Sequence, residues 1–425
     1  MTDIPNIAGI DLSADAFWAQ PLEGRYDAFR RLRATPGLTY YDAPDPRSAM
    51  IDPSASYYAV VRHADIKAAS ANPEAFSSAA GATSIPDLPP EFLEFFGSMI
   101  NMDAPRHVRL RRIVSQAFTP RMMSRIEADV ADVARTVVSR LAESPAADGA
   151  EFDFVSEVAA PLPLTVICNL MGVPESEADR VFRCSNVILG AGDAEYVPEG
   201  GDLGAVLLAA GAELAELVSE LCRQRRESPT GDLVTALAAA EVEGERLTDA
   251  EIASFFVLLS VAGNETTRNA LSHALVALTE HQDQRAFWLS DFEALSPIAV
   301  EEIVRWSSPV IWMRRTVLTE TAELGGQHLK QGDRLLLYYA SGNRDETAFD
   351  DPEAFDLRRT PNPHLGFGGA GPHYCLGAHL ARREITVLYR ELLQRFPAVR
   401  ASGEPVRLAS SFVNGIKHLP ASLRD

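Results

Sequence analysis

Thr248-Asp249-Ala250-Glu251 opens the longest helical pattern in the chain, and that helix limits every other choice the fold can make. The four residues form a capping box, in which a hydroxyl and a carboxylate satisfy the first free N–H groups. The pattern continues to Glu280, about 33 residues and about 50 Å at the rise of an α-helix. A helix this long and apolar on most faces must run through the interior. Its middle nevertheless reads Ala262-Gly263-Asn264-Glu265-Thr266-Thr267. Polar groups at such a place are costly unless they are partnered or face a wet cavity. Gly263 weakens the helix and a Thr hydroxyl competes for a carbonyl one turn back, so local distortion is expected there. Taken alone, the segment reads equally well as a satisfied polar contact between helices and as part of a site.

Around this helix the periodicity is mostly helical, with no repeat of 20–50 residues. Tyr57–Val61 and Leu335–Tyr339 read as strands, and Asn414-Gly415 within Phe412–Ile416 reads as a hairpin turn. Gly81–Pro90 and Gly192–Gly201 read as mobile loops. The expected fold is mainly α with a small β-rich region. No Pro/Gly/Ser linker or charge block divides the chain, so a single domain over 1–425 is expected. Residues Met1–Ile10 lack the basic and apolar regions of a signal peptide. No run of about 18 apolar residues is present, so no membrane anchor is expected. A net charge of −20 disfavours nucleic acid and anionic membranes as partners. Cys168, Cys184, Cys222 and Cys375 are widely spaced, which fits a reducing cytoplasm rather than a disulfide framework.

The segment Pro361–Gly377, PNPHLGFGGAGPHYCLG, sets four glycines before Cys375 and a helical pattern (Leu380, Ile385, Leu388) after it. A cysteine where a loop meets a helix lies near the positive end of the helix dipole, within reach of free N–H groups, and both favour the metal-binding thiolate. Glycines let backbone approach a flat ligand closely. The competing reading is a buried structural cysteine beside a Gly-rich turn, which is what most cysteines are. A zinc site is disfavoured, since His373-x-Cys375 has no second Cys/His pair at suitable spacing.

This loop resembles the haem-binding signature of the cytochrome P450 family, a Phe-Gly-rich run ending in Cys-x-Gly. Supporting motifs follow in the family's order from Asp103 to Leu419. Glu302-Ile303-Val304-Arg305 resembles the Glu-x-x-Arg motif, and Arg359 the arginine that completes its buried ion network. One departure stands out: Phe367 lies eight residues before Cys375, where the commonest form has seven. Lengthened loops of this kind occur in actinobacterial lipid and sterol hydroxylases of the family.

The resemblance implies haem b held through Cys375 as the iron's axial ligand, with O2 as co-substrate. Thiolate ligation favours O–O cleavage. Glu265 and Thr266 match the family's acid–alcohol pair for proton delivery, while Ala262 and Gly263 leave room for dioxygen. Four cations match the contacts to the haem propionates: His107 and Arg111, which share a face at i, i+4, together with Arg315 and His373. Phe367, Gly368 and Gly377 complete the expected cofactor contacts. A further set, Arg106, Arg109 and Arg112, recurs every third residue and reads either as a solvated cationic face or, with Arg382 and Arg383, as a docking patch for an acidic ferredoxin.

The resemblance also implies a cytoplasmic monomer that takes electrons from a ferredoxin and its NAD(P)H-dependent reductase. Its lipophilic substrate is expected against Phe92, Phe95, Phe96, Met99, Val310, Ile311, Trp312, Met313, Phe412 and Val413. The helix sequence 262–269 and the tail 412–420 are similar to hydroxylases of methyl-branched lipids and sterols, which points to a branched lipid, terpenoid or sterol. Two alternatives are a haem-thiolate peroxygenase and a non-catalytic haem or lipid carrier. Glu265 and Thr266 weigh against both.

Overall fold

A computed structural model of the protein describes residues 9–41, 55–190, 193, 195–196, 203–242 and 244–424. The long helix runs from Asp249 to Glu280, and both halves of the expected capping box form: the Thr248 hydroxyl accepts from the Glu251 N–H, and the Glu251 carboxylate accepts from the Thr248 N–H. This central helix packs against Pro90–Gly97, Pro161–Met171, Ala178–Leu189, Leu203–Glu227, Phe292–Ser307 and Ala378–Arg395. Its buried residues fall on nearly every face, as a helix enclosed by neighbours requires.

The two strands expected from sequence form at Tyr57–Val60 and Arg334–Tyr338 and pair in parallel. They are the second and third strands of a five-stranded sheet, in the order Thr39–Tyr41, Tyr57–Val60, Arg334–Tyr338, Trp312–Val317, Phe76–Ser77. All the other pairings in this sheet are antiparallel. One face of the sheet closes a core separate from the helical one, built on Phe17, Trp18, Phe29, Tyr57 and Tyr338.

Two expectations are corrected. Asn414-Gly415 is not a hairpin turn. The Asn414 side chain donates to the Ser307 carbonyl, its backbone carbonyl bonds the His273 ring, and Gly415 lies against Leu408. The antiparallel pair is instead Val406–Arg407 with Ile416–His418. Satisfying a buried Asn on three sides outweighs the local turn preference. Gly81–Pro90 is not a free loop either: buried Arg314 donates to the carbonyls of Ser84, Ile85 and Pro86 and to the Asp87 carboxylate. The loop expected at Gly192–Gly201 lies outside the described residues except at 193, 195 and 196. Among the described residues no helix is long and apolar enough to cross a membrane.

Candidate active site

The chain around the cysteine is held first by a buried ion network. Glu302 is fully buried and accepts two hydrogen bonds from Arg305 at 2.7 Å, one from Arg359 at 3.1 Å and one from Asn362 at 3.0 Å. Arg305 also donates to the carbonyls of Asn343, Pro352 and Ala354. Such a network has little value unless every partner is satisfied. Here Glu302, Arg305 and Arg359 are all hydrogen-bonded, and the network ties the Phe292–Ser307 helix to the segment that leads into the cysteine loop.

The loop itself turns on glycines. Gly368, Gly369 and Gly371 all have φ in the left-handed region (92°, 65° and 112°). A Cβ at Gly371 would sit 2.1 Å from the Ser70 carbonyl oxygen. Only glycine meets both conditions. Across these turns the Cys375 N–H donates to the Phe367 carbonyl at 2.9 Å. The Ala378–Arg395 helix then begins at Gly377.

Cys375 opens onto a cavity of about 410 Å³ between the cysteine loop and the central helix. All ten residues expected to contact the cofactor line it: His107, Arg111, Ala262, Gly263, Arg315, Phe367, Gly368, His373, Cys375 and Gly377. Thr266 lines it as well, with its hydroxyl donating to the Ala262 carbonyl at 2.8 Å. Of the residues expected at the substrate, Met99, Val310 and Met313 line it.

The remaining expected substrate contacts do not line the cavity. In the strand Trp312–Val317 successive side chains point to opposite faces, so Met313 and Arg315 face the cavity while Trp312 joins the core beneath the sheet with Ile311. Phe412 packs edge-on against Trp312, and Val413 bridges to Val310 through the backbone. Phe92 packs tilted and Phe95 edge-on against Phe96, and Phe95 and Phe96 lie against Gly211.

Glu265, expected to relay protons to Thr266, does not line the cavity. It is 2% exposed, paired with Arg268, and accepts from Asn269 at 3.1 Å. Arg268 in turn donates to Asn186 at 3.0 Å. The cationic face of the Arg106–Ala117 helix is likewise engaged within the protein. Arg106 pairs with Glu94, Arg109 pairs with both Glu245 and Glu251, and Arg382 pairs with Glu301.

The cavity chemistry calls for an anion and a metal. The His107 and His373 rings lie 4.2 Å apart, with Arg111 and Arg315 beside them. Burial and the neighbouring cations hold both imidazoles below their ordinary value, His373 at about 3. The buried His107 Nε2 has no partner within the protein. A dianionic ligand would satisfy this donor and cancel the mutual repulsion. Although Cys375 is exposed to the cavity, the protein packed around it raises its thiol, against the Gly377 N–H and the charges of Arg111 and Arg382. A bound cation would therefore be needed to hold the thiolate. Among the described residues no cluster of three or more His, Cys, Asp or Glu could hold a metal ion. A metal at Cys375 would thus bring its other ligands with it, as a metal in a porphyrin does.

Sequence reasoning missed two groups at this site. Glu384 lines the cavity, and its signal was legible, since it occupies the apolar stripe between Leu380 and Leu388 at i, i+4 spacing. Ile167 and Leu170, from the Pro161–Met171 helix, also line it, and no local pattern distinguishes them from core.

The family model described as Cytochrome P450 matches residues 295–417. The chain is 48% identical over 417 residues to a methyl-branched lipid omega-hydroxylase of Mycobacterium tuberculosis, covering 98% of this chain and 95% of that protein. It is 39% identical to a steroid C26-monooxygenase of Mycolicibacterium smegmatis, over 91% of this chain and 88% of that one. The fold superposes with a TM-score of 0.91 on a Mycobacterium marinum cytochrome P450 solved in complex with pseudoionone, at 41% identity, covering 99% of this chain and 100% of that chain.

Proposed function

This chain belongs to the cytochrome P450 family, and from that premise we propose that it hydroxylates a methyl-branched lipid or a related terpenoid or sterol. It is a haem b-dependent monooxygenase that uses O2, accepts electrons from a redox partner and acts on a lipophilic substrate. The observation that carries the site assignment is the convergence of Cys375, four basic side chains and the Ala262–Thr266 stretch on one cavity.

Cys375 holds the iron of haem b, and His107, Arg111, Arg315 and His373 hold its propionates. When bound, the haem supplies the activation of O2 and its insertion into a C–H bond. Ala262 and Gly263 keep the central helix thin where dioxygen must fit. Thr266 holds a proton at Oγ1, now donated to the Ala262 carbonyl, within the cavity wall. Glu265 lies behind that wall in an ion pair, so its part in the relay requires its carboxylate to turn away from Arg268.

Met99, Val310 and Met313, with Ile167, Leu170 and Leu259, give the substrate an apolar wall. This suits recognition by burial rather than by ion pairing. The electron donor in this reading is a ferredoxin, and the enzyme is a cytoplasmic monomer. Docking in this reading falls to the exposed surface around Val108 and Tyr374, beside Arg112, Gly371 and Pro372. Val108 and Tyr374 are 53% and 40% exposed there. A spin-state titration against methyl-branched lipids, sterols and terpenoids tests the substrate class. Shifts with branched lipids and terminally hydroxylated products with a ferredoxin system are expected, whereas shifts with small polar ligands alone would overturn it.

A further inference from the structure

Asn264 is fully buried on the central helix, yet neither its Oδ1 nor its Nδ2 has a partner among the described residues. The same holds for the Ser260 hydroxyl one turn before it and for the Arg268 Nε one turn after it, on residues 1% and 2% exposed. Positions 260, 264 and 268 recur every fourth residue, so all these orphaned polar atoms fall on one face of the helix. None of the three residues lines the cavity.

That face meets the Ala178–Leu189 helix. The Ser185 hydroxyl donates to the Ser260 carbonyl at 3.2 Å, and Arg268 donates to Asn186 at 3.0 Å. The residues that meet here are short on both sides, except for Arg268. Leaving one such group unmet in the interior is costly, and here several stand together. Whatever satisfies them must both give and receive hydrogen bonds: Arg268 Nε and Asn264 Nδ2 donate, Asn264 Oδ1 accepts, and the Ser260 hydroxyl does either. A cation is repelled by Arg268, and an anion has nothing to offer the Asn264 carbonyl oxygen. Water fits, since a buried molecule makes about three hydrogen bonds to groups of this kind.

We propose that Ser260, Asn264 and Arg268 form a binding site for internal water between the central helix and the Ala178–Leu189 helix, on the side turned away from the haem cavity. The water also fixes Arg268. The two terminal nitrogens of that guanidinium hold Asn186 and Glu265, and the water engages its remaining donor. Asn264 thereby sets where the Glu265 carboxylate rests, whatever lipid the enzyme oxidises.

A high-resolution crystal structure of the full-length, haem-loaded protein tests the site. Ordered water is expected within hydrogen-bonding distance of Asn264 and of the Ser260 hydroxyl or the Arg268 Nε. In Asn264→Leu the water should be lost and the Arg268 side chain displaced. Direct protein partners for both ends of Asn264, with no water, would overturn the site. A Glu265–Arg268 pair unmoved in Asn264→Leu would overturn its hold on Glu265.

Melting temperatures give a reading in solution, because the alternatives differ in sign. If the Asn264 amide met nothing, Asn264→Leu would remove two unpaired atoms and raise the melting temperature. A shared water predicts a fall of about 3 °C or more, since Ser260 and Arg268 are left unpaired, and a smaller fall in Asn264→Ser, which still bonds water. Strain from the bulkier leucine is told apart by adding Ser260→Ala. That change should cost less in the Asn264→Leu background than in the wild type, because the water it served is already gone. A rise in Asn264→Leu, or strictly additive losses in the double variant, would refute the shared water.

Discussion

The backbone N–H of Cys375 donates to the Phe367 carbonyl across 2.9 Å, although eight positions separate the two residues. Between them Gly368, Gly369 and Gly371 take left-handed turns that bring the two residues together. Gly371→Ala would set a Cβ 2.1 Å from the Ser70 carbonyl, at a backbone conformation that disfavours any side chain. We predict a loss of about 3 kcal/mol or more in stability, with haem retained at well below one per chain. Chemical denaturation and haem stoichiometry check both.

Glu265 and Thr266 should separate cleanly in their effects. Glu265→Ala strands a buried Arg268 and should cost about 3 kcal/mol of unfolding free energy. Thr266→Ala removes a hydroxyl bonded to its own helix, so it should change stability by about 1 kcal/mol or less while diverting most electrons to peroxide. Denaturation curves and peroxide assays distinguish the two.

The contrast marks how far sequence carries. The central helix was legible because a capping box and a long apolar period are local signals, and Cys375 because glycines and a helix start surround it. The orientation of Glu265 was not, since it is decided by Arg268 and by Asn186 on another helix. Likewise Ile311, Trp312 and Phe412 carry the right chemistry for a lipid pocket. Strand alternation and the sheet's second face send them to a core that no nearby motif announces.

Arg109 should matter more to folding than to electron transfer. It bridges Glu245 and Glu251, tying its helix to the start of the central helix. Arg109→Ala is expected to change ferredoxin affinity less than about twofold. Arg112→Glu should weaken it about tenfold at low ionic strength, with the difference shrinking as salt rises. Binding titrations across a salt series decide between the two positions.

Glu301 gives a pH signature. Burial alone would raise its pKa, but hydrogen bonds from His364 and Arg382 outweigh that and hold it at about 2. A depressed carboxylate contributes stability that is complete above its unfolded value near 4.5 and fades as pH falls toward 2. Glu301→Gln should therefore be about 2 kcal/mol less stable than the wild type at pH 7, with the gap narrowing between pH 4.5 and 2. Unfolding free energies at a series of pH values measure it.

The most direct measurement is the reduced, carbon monoxide-bound absorption spectrum of the purified protein beside Cys375→Ala. The wild type should carry one haem per chain with the red-shifted band of thiolate ligation, and the variant should lose that band. A wild type without porphyrin, or a variant that keeps the thiolate band, would contradict the assignment of Cys375 to the iron.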